Sequence, residues 1–269
     1  MESETKPALS PSGWRTKIWW IISICISILI IGLGIWFYLW LGNEKQVSDT
    51  AEKSPTQTKE ESGDLVALGD SITQANGLST EMGSDNPEYS FSTGTEINSF
   101  YLYLRNQGNN LQPVNLSISG ATTQDALKEQ VPKVADYDPK YITVLLGAND
   151  VLGGFTISEF RRNLQSIINK IKNDDTTILI GSIPNLIKMQ TANYPICEEN
   201  SFDAEIQQPA EAYIQAFNTI IYDLASDNYL IYVDIFPILG KNEVSEHDCT
   251  HPNISGQEKI AQEFIKALK

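Results

Sequence analysis

Only two histidines occur in the 269-residue chain, His247 and His251, so a reaction that needs an imidazole must use one of them. His251 lies in the segment DCTHPN, three residues after Asp248 and directly before Pro252. A carboxylate at that spacing can reach the ring Nδ1–H and fix the tautomer, which leaves Nε2 free to take a proton from a hydroxyl. Pro252 restricts the backbone of His251 to extended conformations and helps to hold the ring. The segment predicts a base and its orienting carboxylate, although a surface Asp–His pair would have the same spacing.

The hydroxyl for such a base to activate is offered by Ser71. It lies in LGDSIT, where an apolar run ends and a helix would begin. At that point its Oγ would face the site, and nearby backbone N–H groups could bind an anion. A helix N-cap is the commoner role of a serine at such a place, so Ser71 is a candidate nucleophile only together with the base.

Two further residues could stabilise developing negative charge. Gly120, in SISGAT, could bring its backbone N–H close to a ligand, and Asn149, in GAND, carries a neutral amide donor. Taken singly, a turn glycine and an Asx-turn residue are the simpler interpretations.

Apolar runs and amphipathic segments alternate from Asp64 onward. The predicted strands are rich in Val, Ile and Leu, as in strands buried on both faces: Leu65–Leu68, Val114–Ile118, Ile142–Leu146, Thr177–Ile180 and Leu230–Ile235. Helical spacing gives three apolar faces, which we interpret as core packing: Phe160, Leu164, Ile167, Ile168 and Ile171; Tyr213, Phe217, Ile220, Ile221 and Leu224; and Ile260, Ala261, Phe264, Ile265 and Leu268. This alternation predicts a parallel sheet covered by helices on both faces.

The active site of such a sheet lies beyond the carboxyl ends of its strands. Ser71, Gly120 and Asn149 each follow a predicted strand, and His251 lies in the loop before the last helix. The joint pattern therefore predicts a catalytic site, whereas each residue alone does not.

These segments resemble the blocks of the SGNH/GDSL hydrolase superfamily, in the family order. The blocks read GDSIT at 69–73, Gly120 in SISGAT, Asn149 in GAND and DCTHPN at 248–253, and the resemblance covers about residues 64–268. It implies an α/β fold, a flavodoxin-like three-layer α/β/α sandwich with a parallel sheet.

The resemblance also implies the roles of the site residues. Ser71, His251 and Asp248 would form the catalytic triad, and the oxyanion hole would use the N–H groups of Ser71 and Gly120 with the Asn149 amide, with neither a cofactor nor a metal. We therefore expect a carboxylic ester hydrolase that works through an acyl-enzyme, on a small-molecule, lipid or glycan ester. An O-acetylesterase for cell-wall glycan and a non-catalytic tethered binding module are the alternatives.

The chain divides into a short N-terminal tail (1–17), a transmembrane signal anchor (18–41), a flexible polar linker (42–62) and the hydrolase domain (63–269). Residues 18–41 contain no charged residue and have tryptophans near both ends, and about 20 apolar residues suffice to cross a bilayer. A cleaved signal peptide is the rival interpretation, but no small-x-small cleavage site follows. We expect a single-pass protein of the cell membrane with its catalytic domain outside the cytoplasm, on a slight positive-inside bias.

The net charge and the cysteines bear on nucleic-acid binding, on zinc sites and on a disulfide. The formal net charge of −15 argues against nucleic acid, whose phosphates would repel the domain. No cysteine pair has zinc-finger spacing. Cys197 and Cys249 are the two cysteines beyond the anchor, and an oxidising compartment favours a disulfide between them over two buried thiols.

Overall fold

The computed structural model describes residues 64–79, 83–189 and 204–269. The predicted anchor 18–41, the linker 42–62 and Cys197 lie outside these ranges. Within them, no helix combines the length and the apolar character needed to cross a membrane. The expected anchor therefore stays a prediction.

Five parallel strands form one sheet in the order β2-β1-β3-β4-β5. The strands are β1 Leu65–Gly69, β2 Pro113–Asn115, β3 Tyr141–Leu145, β4 Thr177–Gly181 and β5 Ile231–Val233. This order is the flavodoxin-like one. The prediction placed β2 at Val114–Ile118. The chain does stay beside β1 past Asn115, because Ile118 N donates to Gly69 O at 3.2 Å, but it leaves the regular ladder.

Helices connect the strands. They are α1 Phe100–Asn106, α2 Thr123–Glu129, α3 Val131–Val134, α4 Ala148–Leu152, α5 Ile157–Ile171, α6 Leu186–Met189, α7 Ala204–Asp227 and α8 Ile254–Leu268. Reciprocal capping boxes start α2 and α5, in which Thr122 pairs with Asp125 and Thr156 with Glu159. Asn253 caps α8 directly after the predicted triad loop, so the start of that helix fixes where the loop ends.

The core has a helical layer on each face of the sheet. Helices α1 and α8 contact each other on one side, where Phe91 packs 4.9 Å from Phe264 between ring centroids. Helices α2, α3, α5 and α7 pack together on the other side, with Phe160 and Phe217 at 4.8 Å. The predicted three-layer α/β arrangement is confirmed, and it leaves the carboxyl ends of the strands as one open edge.

The three apolar faces predicted from helical spacing lie in α5, α7 and α8. Tyr213 is the exception, since 41% of it is exposed and its hydroxyl donates to Phe155 O at 3.0 Å. Its ring still packs edge-on against Phe217, at 5.2 Å. The phenol needs a polar partner, which places Tyr213 at the rim of the core rather than inside it.

Candidate active site

His251 lies between the two side chains that the sequence assigned to it. Its Nε2 is 2.7 Å from Ser71 Oγ, and its Nδ1 is 2.6 Å from Asp248 Oδ2. Asp248 Oδ1 also accepts the backbone N–H groups of Thr250 and His251, each at 3.0 Å. The carboxylate therefore holds both the ring and the loop that carries it, and Nε2 faces the serine.

The pKa of Asp248 lies below its usual value. Burial acts to raise it, but the hydrogen bond from the His251 ring and the backbone N–H groups of His251 and Thr250 outweigh burial. Asp248 therefore stays ionised beside the imidazole, as an orienting carboxylate requires.

The turn after β1 presents Ser71, but no regular helix starts there, contrary to the prediction. Gln74 N donates to Asp70 O at 3.1 Å and Asn76 N to Ser71 O at 2.9 Å, which makes about one helical turn. Ala75 then adopts a φ of 53°, in the left-handed region that a right-handed helix cannot contain. The nucleophile thus lies on a tight turn.

The loop before α8 is folded back on itself around Ser245. Ser245 N donates to His251 O at 2.8 Å, and Cys249 N donates to Ser245 O at 3.1 Å. An antiparallel bridge joins Val244 to Pro252. The structure has Cys249 in a disulfide bond; its predicted partner Cys197 lies outside the described residues, so that pairing stays a prediction.

Gly120 and Asn149 line the same cavity as Ser71. Gly120 has a φ of 79°, and a Cβ built on it would meet no atom within 4 Å, so its backbone conformation rather than crowding favours glycine. Asn149 lies in the first turn of α4, and its Nδ2 donates to Ala121 O at 3.1 Å. Asp70 Oδ2 is 3.5 Å from the same nitrogen. A contact that long is weak, so the second amide hydrogen is not firmly engaged and stays available as a donor.

Asp70, between the strand and the nucleophile, is fully buried. Burial raises its pKa to about 6, while the N–H of Ile72 and the charge of His251 act in the opposite direction. Its Oδ1 accepts the Ile72 N–H at 2.9 Å. Asp70 therefore joins the base, the nucleophile turn and the Asn149 amide in one electrostatic network.

A cavity of about 380 Å³ opens above the triad. Apolar side chains that the sequence analysis did not single out form part of its wall, namely Ile72, Ala148, Leu152 and Leu186. Polar groups form another part, from Asn76 and Ser119. These residues carry no periodic signal in the sequence, because only the tertiary fold brings their loops to the same edge.

Two buried glutamines that the sequence analysis also missed clamp the nucleophile turn from both sides. Gln130 accepts Gly69 N at 3.0 Å and donates to Gly69 O at 2.8 Å. Gln257 of α8 donates to Ile72 O at 2.8 Å and accepts Phe91 N at 3.0 Å. Each side chain replaces a backbone partner, so the strand end and the turn are fixed around Ser71.

Comparisons with known proteins identify the family of this chain. Residues 67–259 match the model of the GDSL-like Lipase/Acylhydrolase family. Esterase TesA of Pseudomonas aeruginosa is 24% identical over 207 residues, which cover 76% of this chain and 87% of that protein. Thioesterase 1/protease 1/lysophospholipase L1 of Escherichia coli is 27% identical over 158 residues, which cover 58% of this chain and 66% of that protein.

A solved structure shows the same fold. An acetyl xylan esterase variant from Geobacillus stearothermophilus superposes with a TM-score of 0.55 at 20% identity, over 78% of this chain and 97% of that one. The fold, the site geometry and a family match that spans most of the chain lead to one conclusion: the chain belongs to the GDSL-like lipase/acylhydrolase family and is an SGNH/GDSL-type carboxylic ester hydrolase.

Proposed function

We propose that this protein is a membrane-anchored serine hydrolase that cleaves carboxylic esters through an acyl-enzyme on Ser71. The observation that carries the proposal is the hydrogen-bonded chain from Ser71 Oγ through the His251 ring to Asp248, with contacts of 2.7 and 2.6 Å. In a surface Asp–His pair the second ring nitrogen would face solvent, whereas Nε2 of His251 contacts a serine 180 residues away in the chain.

In the first half-reaction Ser71 Oγ attacks the ester carbonyl carbon while its proton passes to His251 Nε2. Asp248 keeps the proton on Nδ1 and stabilises the imidazolium that forms. The carbonyl oxygen becomes an oxyanion, for which the N–H groups of Ser71 and Gly120 and the amide of Asn149 are the donors. The C–O bond to the alcohol then breaks, and His251 gives its proton to the leaving alkoxide.

In the second half-reaction water attacks the acyl group on Ser71, and His251 takes a proton from that water. The same donors stabilise the second oxyanion. Collapse of the intermediate breaks the acyl–oxygen bond to Ser71, which recovers its proton from His251, and the carboxylic acid leaves. The complete cycle consumes one water molecule and releases the alcohol and the carboxylic acid.

The second candidate is an O-acetylesterase that acts on cell-wall glycan. Polar groups from Asn76 and Ser119 in the cavity wall support it, as does the fold shared with an acetyl xylan esterase. Lysophospholipids remain candidate substrates of the carboxylic ester hydrolase proposed first, because part of the cavity wall is apolar. Membership of an ester-hydrolase family disfavours the non-catalytic binding module.

The anchor and the location belong to the same proposal. Residues 18–41 would hold the catalytic domain at the cell membrane, outside the cytoplasm, where lipid and glycan esters are both within reach. The acidic charge argues against a nucleic-acid partner.

Two measurements on separate samples of the full chain test the proposed nucleophile and base. One is labelling with a fluorophosphonate, and the other is hydrolysis of p-nitrophenyl acetate. We expect Ser71→Ala to abolish labelling, and Ser71→Ala and His251→Ala each to lower kcat by about 10⁴-fold or more. The matched control is His247→Ala, which removes the other histidine and should keep most of the activity. Loss of activity in His247→Ala with retention in His251→Ala would reverse the assignment.

A further inference from the structure

Three polar side chains lie together beside the nucleophile, on the side of Gly120. Asn76 Nδ2 donates to Asp85 Oδ1 at 3.2 Å and is 3.4 Å from Ser119 Oγ, and the Ser119 hydroxyl donates to Asp85 Oδ1. Asn76 and Ser119 line the cavity that contains Ser71 and His251, whereas Asp85 is exposed and contacts both of them from outside the cavity lining.

The hydrogen-bonding capacity of this cluster is unevenly used. An ionised carboxylate can only accept, so Asp85 requires the NH₂ group of Asn76 and the O–H of Ser119 to face it. Both kinds of donor are thereby engaged inside the cluster. The Oδ1 atom of Asn76 has no partner among the described residues, although only 4% of this residue is exposed.

What the cluster offers to the cavity is therefore acceptors. Among the described residues, the fully buried side-chain oxygens without a partner are Thr73 Oγ1 and Thr93 Oγ1, so the Asn76 oxygen is reachable and can accept a hydrogen bond from a ligand. Ser119 Oγ keeps accepting capacity because its own hydrogen points to Asp85. The hydroxyl groups of a polyhydroxylated alcohol are uncharged donors that can bind two such neutral acceptors.

The apolar part of the wall comes from a different part of the chain. Leu152 of α4 is 63% exposed, and Leu186 of α6 contributes a second branched side chain. An ester has two arms, one on each side of its carbonyl group. Complementarity places the acyl arm against these leucines and the alcohol arm against the polar cluster.

We propose that Asn76 and Ser119, oriented by Asp85, form a subsite for the hydroxyl groups of the alcohol portion of the ester. This inference rests on the proposed function and makes the preferred substrates esters of polyhydroxylated alcohols, such as glycerol or a sugar. Asp85 is a positioning residue, since it acts through the hydroxyl and the amide that it holds.

Two acetate esters with the same carbon skeleton isolate the subsite. Glycerol 1-acetate and n-propyl acetate share the acyl group and the three-carbon chain, and differ by two hydroxyl groups. The full-length protein should show a kcat/KM about tenfold higher for the glycerol ester, and Ser119→Ala should bring the ratio of the two values close to one. Because Ser119 precedes Gly120, a general disturbance of the oxyanion hole would lower both rates and leave the ratio intact.

Asp85→Ala should also lower the ratio, whereas Asp85→Asn, which keeps an acceptor for the hydroxyl, should retain most of it. Asp136→Asn is the matched control, because it removes an exposed carboxylate from the turn after α3 and should keep both rates. In a parallel series, a monoacetylated methyl xyloside replaces the glycerol ester. The alcohol whose acetate gives the larger kcat/KM relative to n-propyl acetate is the one that the subsite prefers.

A wild-type ratio near one in both series, or a ratio that Ser119→Ala leaves unchanged, would overturn the subsite while the esterase activity stands. Failure of the wild-type protein to hydrolyse p-nitrophenyl acetate would instead overturn the proposed function and the subsite with it.

Discussion

Gly77 lies directly against the carboxylate of Asp248. A Cβ built on Gly77 would be 2.4 Å from Asp248 Oδ2 and 3.0 Å from His251 Cβ, and the φ of Gly77 is 84°. Oδ2 is the oxygen that binds His251 Nδ1. Ser245 donates its hydroxyl to the carbonyl of Gly77, which ties this glycine to the loop of the base. The triad carboxylate can thus occupy its position only because the residue at 77, in the loop that follows the nucleophile, is a glycine without a Cβ.

We expect Gly77→Ala to displace Asp248 and lower kcat by about 10²-fold, since a shift of about 1 Å at a catalytic group can have that effect. The comparison is Gly108→Ala. Gly108 has a φ of 87°, and a Cβ built on it would meet nothing within 4 Å. Gly108→Ala should lose about 1–2 kcal/mol of unfolding free energy to the left-handed backbone, measured by urea denaturation, and Gly77→Ala should lose more because its Cβ also clashes with Asp248. Equal kcat values for the two variants would contradict the role of Gly77.

Asn149→Ala should lower kcat by about 10²–10³, the range for loss of one oxyanion donor, with little change in KM. The amide stabilises charge that exists only in the transition state and the intermediate, so substrate binding should be nearly unaffected. Steady-state kinetics with p-nitrophenyl acetate measure both quantities. Asn169→Ala on the exposed side of α5 is the control and should match the wild type. A tenfold rise in KM at constant kcat would place Asn149 in substrate binding instead.

The sequence predicted those parts of the site that depend on local spacing or on the sheet rule. Asp248 and His251 lie three residues apart on one loop, so their contact is almost independent of the rest of the fold. Ser71 is distant in the chain, yet it was predictable because the carboxyl ends of parallel strands share one edge. The strands themselves were found from buried apolar runs, with errors of a few residues at their ends.

Residues that act through tertiary contact alone were not predictable. The clamps formed by Gln130 and Gln257 are isolated glutamines in the sequence, and their partners are backbone groups that no side-chain pattern reveals. The helix expected after Ser71 fails because Ala75 takes a left-handed conformation, which the identity of an alanine does not signal. Asn76 and Leu152 meet in one cavity only because their separate loops reach the same edge.

Asp70 should make the protein less stable as the pH rises through about 4 to 6. Burial raises its folded pKa to about 6, whereas the unfolded group titrates near 3.8. The folded state therefore holds the proton more tightly in this window, and the stability from this group is present below pH 4 and lost above pH 6. The full effect corresponds to about 3 kcal/mol.

Asp70→Asn removes that titration and keeps an oxygen for the Ile72 N–H, so its unfolding free energy relative to the wild type should increase from pH 4 to pH 7. Asp125 supplies the opposite case, because the hydroxyl and N–H of Thr122 hold the pKa of its carboxyl below the usual value. Asp125→Asn should lose stability relative to the wild type above about pH 4. Urea denaturation across the range measures both differences, and a flat difference for Asp70→Asn would contradict the prediction.

The Cys197–Cys249 bond can be tested on the full chain by counting thiols. Cys249 is disulfide-bonded and lies in the chain between Asp248 and His251, with a φ of 58°. The chain has three cysteines, the third being Cys25. If Cys197 is the partner, the unfolded and unreduced protein should show one reactive thiol, and the Cys25→Ser variant should show none.

Loss of the bond should affect both stability and turnover. Closure of a loop of about 50 residues stabilises a fold by about 4 kcal/mol in the chain-entropy model, and the same bond would hold the His251 loop in register with Ser71. Cys197→Ser and Cys249→Ser should therefore lower the unfolding free energy by similar amounts and also reduce kcat, whereas Cys25→Ser should change neither. Two reactive thiols in unreduced Cys25→Ser, or a strong loss of activity from Cys249→Ser that Cys197→Ser does not share, would show that the partner is not Cys197.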